Sequence, residues 1–96
     1  MYIVKLLLEA ELDLAEACKW YEKRRSGLGK EFLDEFDRRM DVIAGNPLLF
    51  AVNFSERYRF AMLKKFPFSI VYRIDDDENS IVVISVFHQN RNPYKF

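Results

Sequence analysis

The chain has 96 residues, half of them apolar and 16% aromatic, and its fifteen Lys/Arg balance fifteen Asp/Glu. That size and composition can bury a core, which excludes disorder, and the sequence reads as one domain spanning residues 1–96. Zero net charge excludes a long-range pull toward nucleic acid or an anionic membrane, although the residues after position 50 carry seven basic side chains against five acidic ones, so any anion site is expected there.

Residues 2–8, Tyr-Ile-Val-Lys-Leu-Leu-Leu, are β-branched and apolar with one interruption at Lys5, the pattern of a strand. Met1 to Leu8 has no basic leader or small-residue cleavage site, so export is not expected. No stretch approaches the roughly 20 apolar residues of a membrane helix, so a soluble protein with no membrane partner is expected. From Ala10 the period changes. Ala10, Leu14, Ala17, Cys18 and Tyr21 recur at three and four residues and predict an amphipathic helix to about Arg25. Glu9, Glu11 and Asp13 at its start and Lys23, Arg24 and Arg25 at its end follow the helix dipole. Cys18, the one cysteine, cannot close an internal disulfide, which points to a reducing cytoplasm. On the apolar stripe it reads as a small hydrophobe rather than a nucleophile.

Ser26-Gly27-Leu28-Gly29 breaks the helix, and a second stripe runs through Leu28, Phe32, Leu33, Phe36, Met40 and Ile43. Gly45-Asn46-Pro47 closes it, with Gly45 expected in the left-handed C-terminal position. So short a turn predicts an antiparallel helical hairpin. Three strands follow. Arg57–Leu63 alternates Tyr58, Phe60 and Met62 against Arg57, Arg59 and Ala61; Phe68–Ile74 alternates likewise; Ile81–Phe87 is apolar throughout, as in a central strand. The order β-α-α-β-β-β implies an α+β fold, a small mainly antiparallel sheet covered on one face by the hairpin. Arg59 and Arg73 are then expected on the face away from the helices, with His88 and Arg91 just past the last strand.

Few constellations could carry chemistry. Asp75, Asp77 and Asn79 match the first ligands of an EF-hand loop, but Ser80 replaces its glycine and Val86 its final glutamate, which leaves a solvated hairpin turn. With one histidine and no metal-ligand spacing, no metal is expected; with no Gly-rich phosphate loop, no cofactor is expected. What remains is the segment from His88 to Tyr94, together with Arg59 and Arg73. An imidazole among guanidinium groups can move a proton while fixed cations stabilise a phosphate in transition, as RNA cleavage requires. The same groups could bind another protein, or be a strand-end histidine and solvated arginines.

Four segments are similar to the RelE/ParE superfamily of toxins, the plasmid stabilisation proteins, and the likeness runs end to end. They are Ala10-x-x-Asp13-Leu14-x-Glu16-Ala17-x-x-Trp20-Tyr21 with the Gly27-Leu28-Gly29 turn and Phe32; Asn46-Pro47; Tyr58-Arg59 with Phe66-Pro67-Phe68-x-Ile70-x-Tyr72-Arg73; and His88-x-x-Arg91-x-Pro93, where many relatives end in Trp and this chain in Phe96. The resemblance implies growth inhibition and a cognate antitoxin whose C-terminal segment folds over the toxin, operator DNA being reached only through that antitoxin. It also implies one of two targets. RelE-like members cleave messenger RNA on the ribosome, and that reading gives Arg59 and Arg73 the scissile phosphate, His88 the proton, and Arg91 or Tyr94 the leaving side. ParE-like members poison DNA gyrase without hydrolysis. Ribosome-dependent nucleases are typically strongly basic, so the neutral charge and the His-x-x-Arg-x-Pro ending favour gyrase. A relative that binds its antitoxin but has lost toxicity is the third alternative.

Overall fold

The computed structural model describes residues 2–52 and 57–90. Within them the chain runs β1 (Ile3–Leu6), α1 (Leu8–Arg24), α2 (Leu28–Gly45), β2 (Arg59–Met62), β3 (Phe68–Asp75) and β4 (Ser80–His88). The element order is the one the periodicity predicts. The sheet order is β1-β4-β3-β2, with β1 parallel to β4 and the other two pairs antiparallel. The sheet is therefore mixed, and the first strand joins it at one edge.

The two helices bury very different faces. α2 buries Phe32, Phe36, Met40 and Ile43 of the predicted stripe, together with Ala44, while Leu28 is half-buried and Leu33 is exposed. α1 buries only Ala10 and Ala17, whereas Leu8, Leu12 and Trp20 stay exposed. The turn between them is held by Glu22, whose carboxylate accepts the backbone N–H of Gly27 at 3.0 Å and of Gly29 at 3.0 Å. A side chain of the first helix thus satisfies donors at the start of the second, which has no side-chain cap of its own.

Gly27 sits at φ 88, the left-handed region where a glycine carries no Cβ penalty. The left-handed glycine was expected at position 45 instead. Gly45 is the last helical residue, and the cap is Asn46 at φ −154. Pro47 explains the difference, because a residue before proline is pushed toward extended backbone, so the helix ends without a left-handed residue.

Pairing in β2 corrects the predicted faces. Arg59 lies opposite Tyr72 and Ala61 opposite Ile70, while Phe60 pairs with Val71 and Met62 with Ser69. Opposed residues share a face. Ala61, Ile70 and Tyr72 belong to the core under the helices, so Arg59 lies on that side. Arg73, next to Tyr72, lies on the other. The alternation of large residues misled because β2 is apolar on both faces: Ala61 is fully buried beneath the helices, and Phe60 meets Phe87 edge-on at 6.4 Å beyond them.

Beneath the helices the buried side chains form one cluster. At its centre Phe32 stacks on Tyr21 at 5.3 Å and meets Phe66 and Phe68 edge-on at 5.0 and 5.2 Å, joining both helices to the β2–β3 connection. Glu35, itself buried, accepts the N–H groups of Lys64 and Lys65 and ties that connection to α2. The Tyr72 hydroxyl donates to the Pro47 carbonyl at 2.7 Å, fixing the end of α2 on the sheet.

Close helix contact makes Gly29 a sensitive position. A Cβ there would stand 2.6 Å from the Cys18 carbonyl oxygen, a backbone atom that cannot step aside, whereas one at Gly45 meets nothing within 4 Å. Gly29→Ala should therefore lose about 1–3 kcal/mol in urea denaturation, with Gly45→Ala near wild type. Equal midpoints for both variants would show that the helices are not packed this closely.

Candidate functional site

β4 is nine residues long and β1 only four, so β1 covers just the first part of β4. Their pairing ends at Leu6 opposite Val83, with a last bond from the Leu7 N–H to the Val83 carbonyl at 3.0 Å. Beyond that point no strand flanks β4 on this side among the described residues. On the other side the register with β3 shifts, Val71 facing Ser85 and Tyr72 facing Val83, which leaves Ile84 without a partner in a β-bulge.

Asp13 of α1 closes the gap. One of its carboxylate oxygens accepts the Ser85 hydroxyl at 2.8 Å and the Val86 N–H at 3.0 Å. These bonds satisfy buried donors that the bulge and the missing strand would strand, at about 1–3 kcal/mol for each such group. They also set the distance between α1 and the C-terminal half of β4.

That distance leaves an open cleft of ≈ 420 Å³. Ala17 and Tyr21 of α1 form one wall and Phe68 and Val86 the other, with Pro67 beside them. Asp13, Glu16, Trp20 and His88 bring polar groups to it. Asp13, Glu16, Ala17, Trp20 and Tyr21 fall on one helix face because they recur at three and four residues. The Trp20 ring is half exposed, and the Arg24 guanidinium lies 4.1 Å from its centre.

The residues with predicted roles are dispersed. His88 ends β4 and lies in the cleft, its ring edge-on to Phe68 at 4.9 Å and its Nδ1 accepting the Asn90 N–H at 3.0 Å. Arg59 donates to the Phe50 carbonyl at 2.6 Å, on the helix side of the sheet. Arg73 lies on the opposite face, in a polar depression with Arg57, Asp75, Asp76 and Asp77. Phe68 pairs with His88 and Arg73 with Val82, so Arg73 sits five residues along β3 from His88, about 17 Å at strand spacing. Arg91 and Tyr94 lie outside the described residues.

Other titrating groups are structural. Burial pushes the Tyr72 hydroxyl up to about 12, against a smaller opposing pull from Arg59, so it stays a donor to Pro47. Burial, and secondarily Asp37, raises the Cys18 thiol, as befits an inert cysteine packed against the core. The acidic segment forms the β3–β4 turn, with Asn79 left-handed at φ 52. Among the described residues no group of His, Cys, Asp and Glu is placed to hold a metal ion, and no helix is long and apolar enough to cross a membrane.

Residues 4–93 match the model of a family described as the ParE toxin of the type II toxin–antitoxin system parDE. The chain belongs to this toxin family. Among solved structures, the ParE-family chain is similar to one from the chromosomal ParDE system of P. aeruginosa, at TM-score 0.77 and 18% identity over 92% of this chain and 96% of that one. It is also similar to a chain of the intact E. coli RelBE toxin–antitoxin complex, at TM-score 0.64 and 16% identity over 95% and 100% of the two chains. A third is the RelBE2 toxin–antitoxin complex of Mycobacterium tuberculosis, at TM-score 0.65 and 18% identity over 91% and 96%. At these identities the likeness is one of fold. No curated protein matches in sequence.

Of the site residues, the sequence had singled out His88 but not the cleft around it. Asp13 was legible as a charge in the first turns of a helix and as part of the family-like segment, but not as a partner of β4, since Ser85 and Val86 lie more than seventy positions away. Asp13→Ala should cost about 1–3 kcal/mol in stability and speed amide exchange at Val86. An unchanged exchange rate at Val86 would mean that the carboxylate does not hold that strand.

Proposed function

We propose that this ParE-family toxin inhibits growth by binding and poisoning DNA gyrase in the cytoplasm, and that a cognate antitoxin neutralises it by laying an apolar segment in the α1–β4 cleft. The observation that carries the gyrase reading is the dispersal of the cationic groups. A phosphate in transition needs its donors converging on one point at about 3 Å. Arg59 is committed to a carbonyl, Arg73 is on the other side of the sheet among aspartates, and the His88 ring packs against Phe68. Balanced charge agrees, because a ribosome-bound substrate sits among RNA phosphates and rewards a basic protein. A binding mechanism needs none of these groups to meet. It needs exposed contact surface, and α1 supplies it with Leu8, Leu12 and Trp20 uncovered.

The antitoxin part rests on the cleft. Its walls are mainly aliphatic and aromatic, and it runs beside a stretch of β4 that no strand flanks among the described residues. A disordered segment that folds on binding gains most from such a surface, where it buries apolar side chains that are solvated in the free chain. Operator DNA would be reached through the antitoxin rather than through this neutral chain.

Regulated expression in a bacterium separates the targets, with plasmid supercoiling and transcript 5′ ends followed in one culture. The gyrase reading predicts relaxed or broken DNA, a DNA-damage response and intact messages. New cuts in translated messages with normal supercoiling would replace it with the nuclease reading, in which His88→Ala or Arg73→Ala abolishes growth inhibition while antitoxin binding survives. No growth inhibition at all would identify an antitoxin-binding relative that has lost toxicity.

A further inference from the structure

We infer that Glu16 selects the segment that enters the cleft by pairing with a basic side chain, arginine above all, carried on an otherwise apolar stretch of the antitoxin. The inference rests on the antitoxin reading of the cleft and adds the chemistry by which the partner is recognised.

The charges in the cleft are of one sign. Asp13 and Glu16 line it with His88, and neither Lys nor Arg does so among the described residues. Asp13 is occupied by Ser85 and Val86. Glu16, one helical turn further on, is exposed and has no hydrogen bond or ion pair among the described residues. Among the described residues the cations of α1 form no ion pair with it: Arg24 lies over Trp20, and neither Lys19 nor Lys23 makes an ion pair. Among the described residues the rim of an apolar cleft thus holds a carboxylate whose hydrogen-bond acceptors are unused.

An arginine fits this setting better than any other side chain. Its methylene stem would lie along Ala17 and Val86, its planar guanidinium could face the Tyr21 or Phe68 ring, and its fork of donors matches a carboxylate. An acidic segment would meet Glu16 and Asp13 with like charge, so the same feature that attracts one sequence rejects another. A second copy of this chain is disfavoured as occupant. The face it would present carries Glu9, Asp13 and Glu16 along α1, so two copies meet like charge.

The test is the dissociation constant, by calorimetry, between this chain and the protein encoded beside it. Wild type is compared with Glu16→Gln, Glu16→Lys and Glu11→Lys, an exposed acid of α1 outside the cleft. Glu16→Gln should weaken binding several-fold and Glu16→Lys by at least about tenfold, with Glu11→Lys at the wild-type value. Reversing one basic residue of the partner to Glu should rescue Glu16→Lys and penalise wild type. Glu16 is exposed, so these changes leave the fold intact. Binding of Glu16→Lys within twofold of a wild type that itself binds would overturn the inference and leave the antitoxin reading standing. No binding by wild type would overturn both.

Discussion

The Asp13 carboxylate joins the helical layer to the sheet at the point where β4 loses its strand partners. The constraint behind it is general: a buried N–H without an acceptor costs as much as several apolar contacts return. Here the donors are created by a short first strand and a bulge. A helix side chain answers them, accepting from Ser85 and Val86. Once α1 is held there, its spacing from Phe68 and Val86 follows, and with it the cleft. Fold and surface thus share one cause, since the irregularity in β4 that the helix must satisfy is also what leaves room for another chain.

Two further carboxylates work the same way. Glu22 holds the turn between the helices through Gly27 and Gly29, and Glu35 holds the β2–β3 connection through Lys64 and Lys65. These acids serve backbone donors inside the molecule. Several cations are likewise occupied, Arg59 by a carbonyl and Arg24 by a tryptophan face. A chain that uses its charges for its own architecture and balances them to zero has little left to hold a polyanion. Among the described residues, the uncovered apolar side chains of α1 and an unpaired Glu16 remain exposed, and both would suit a protein partner better than a nucleic acid.

Much of the fold was legible in the sequence because local rules agreed with the global arrangement. The 3.6-residue stripe of α2, the dipole-ordered charges of α1 and the apolar run of β4 each matched what the tertiary structure requires. The misreadings arose where a long-range partner decides. Arg59 was assigned to the wrong face because Ala61 was counted with the polar residues, although its small size is what lets β2 lie close beneath the helices. Gly45 looked like a left-handed cap until Pro47 took over the ending. The parallel pairing of β1 with β4 carries no local mark, since it joins residues nearly eighty positions apart. The cleft was least legible of all. It is the meeting of a helix face, a loop and a strand end, and only His88 had drawn notice on chemical grounds.

The claim that this toxin acts by binding is tested most directly with purified components. The chain, freed from its antitoxin, would be added to purified gyrase with relaxed plasmid and ATP, and separately to ribosomes translating a defined message. A binding toxin arrests supercoiling or traps cleaved DNA and leaves the message whole. A message cut in the ribosome with gyrase unaffected would contradict it, and would require Arg59, Arg73 and His88 to come together on the ribosome in an arrangement that the free chain does not hold.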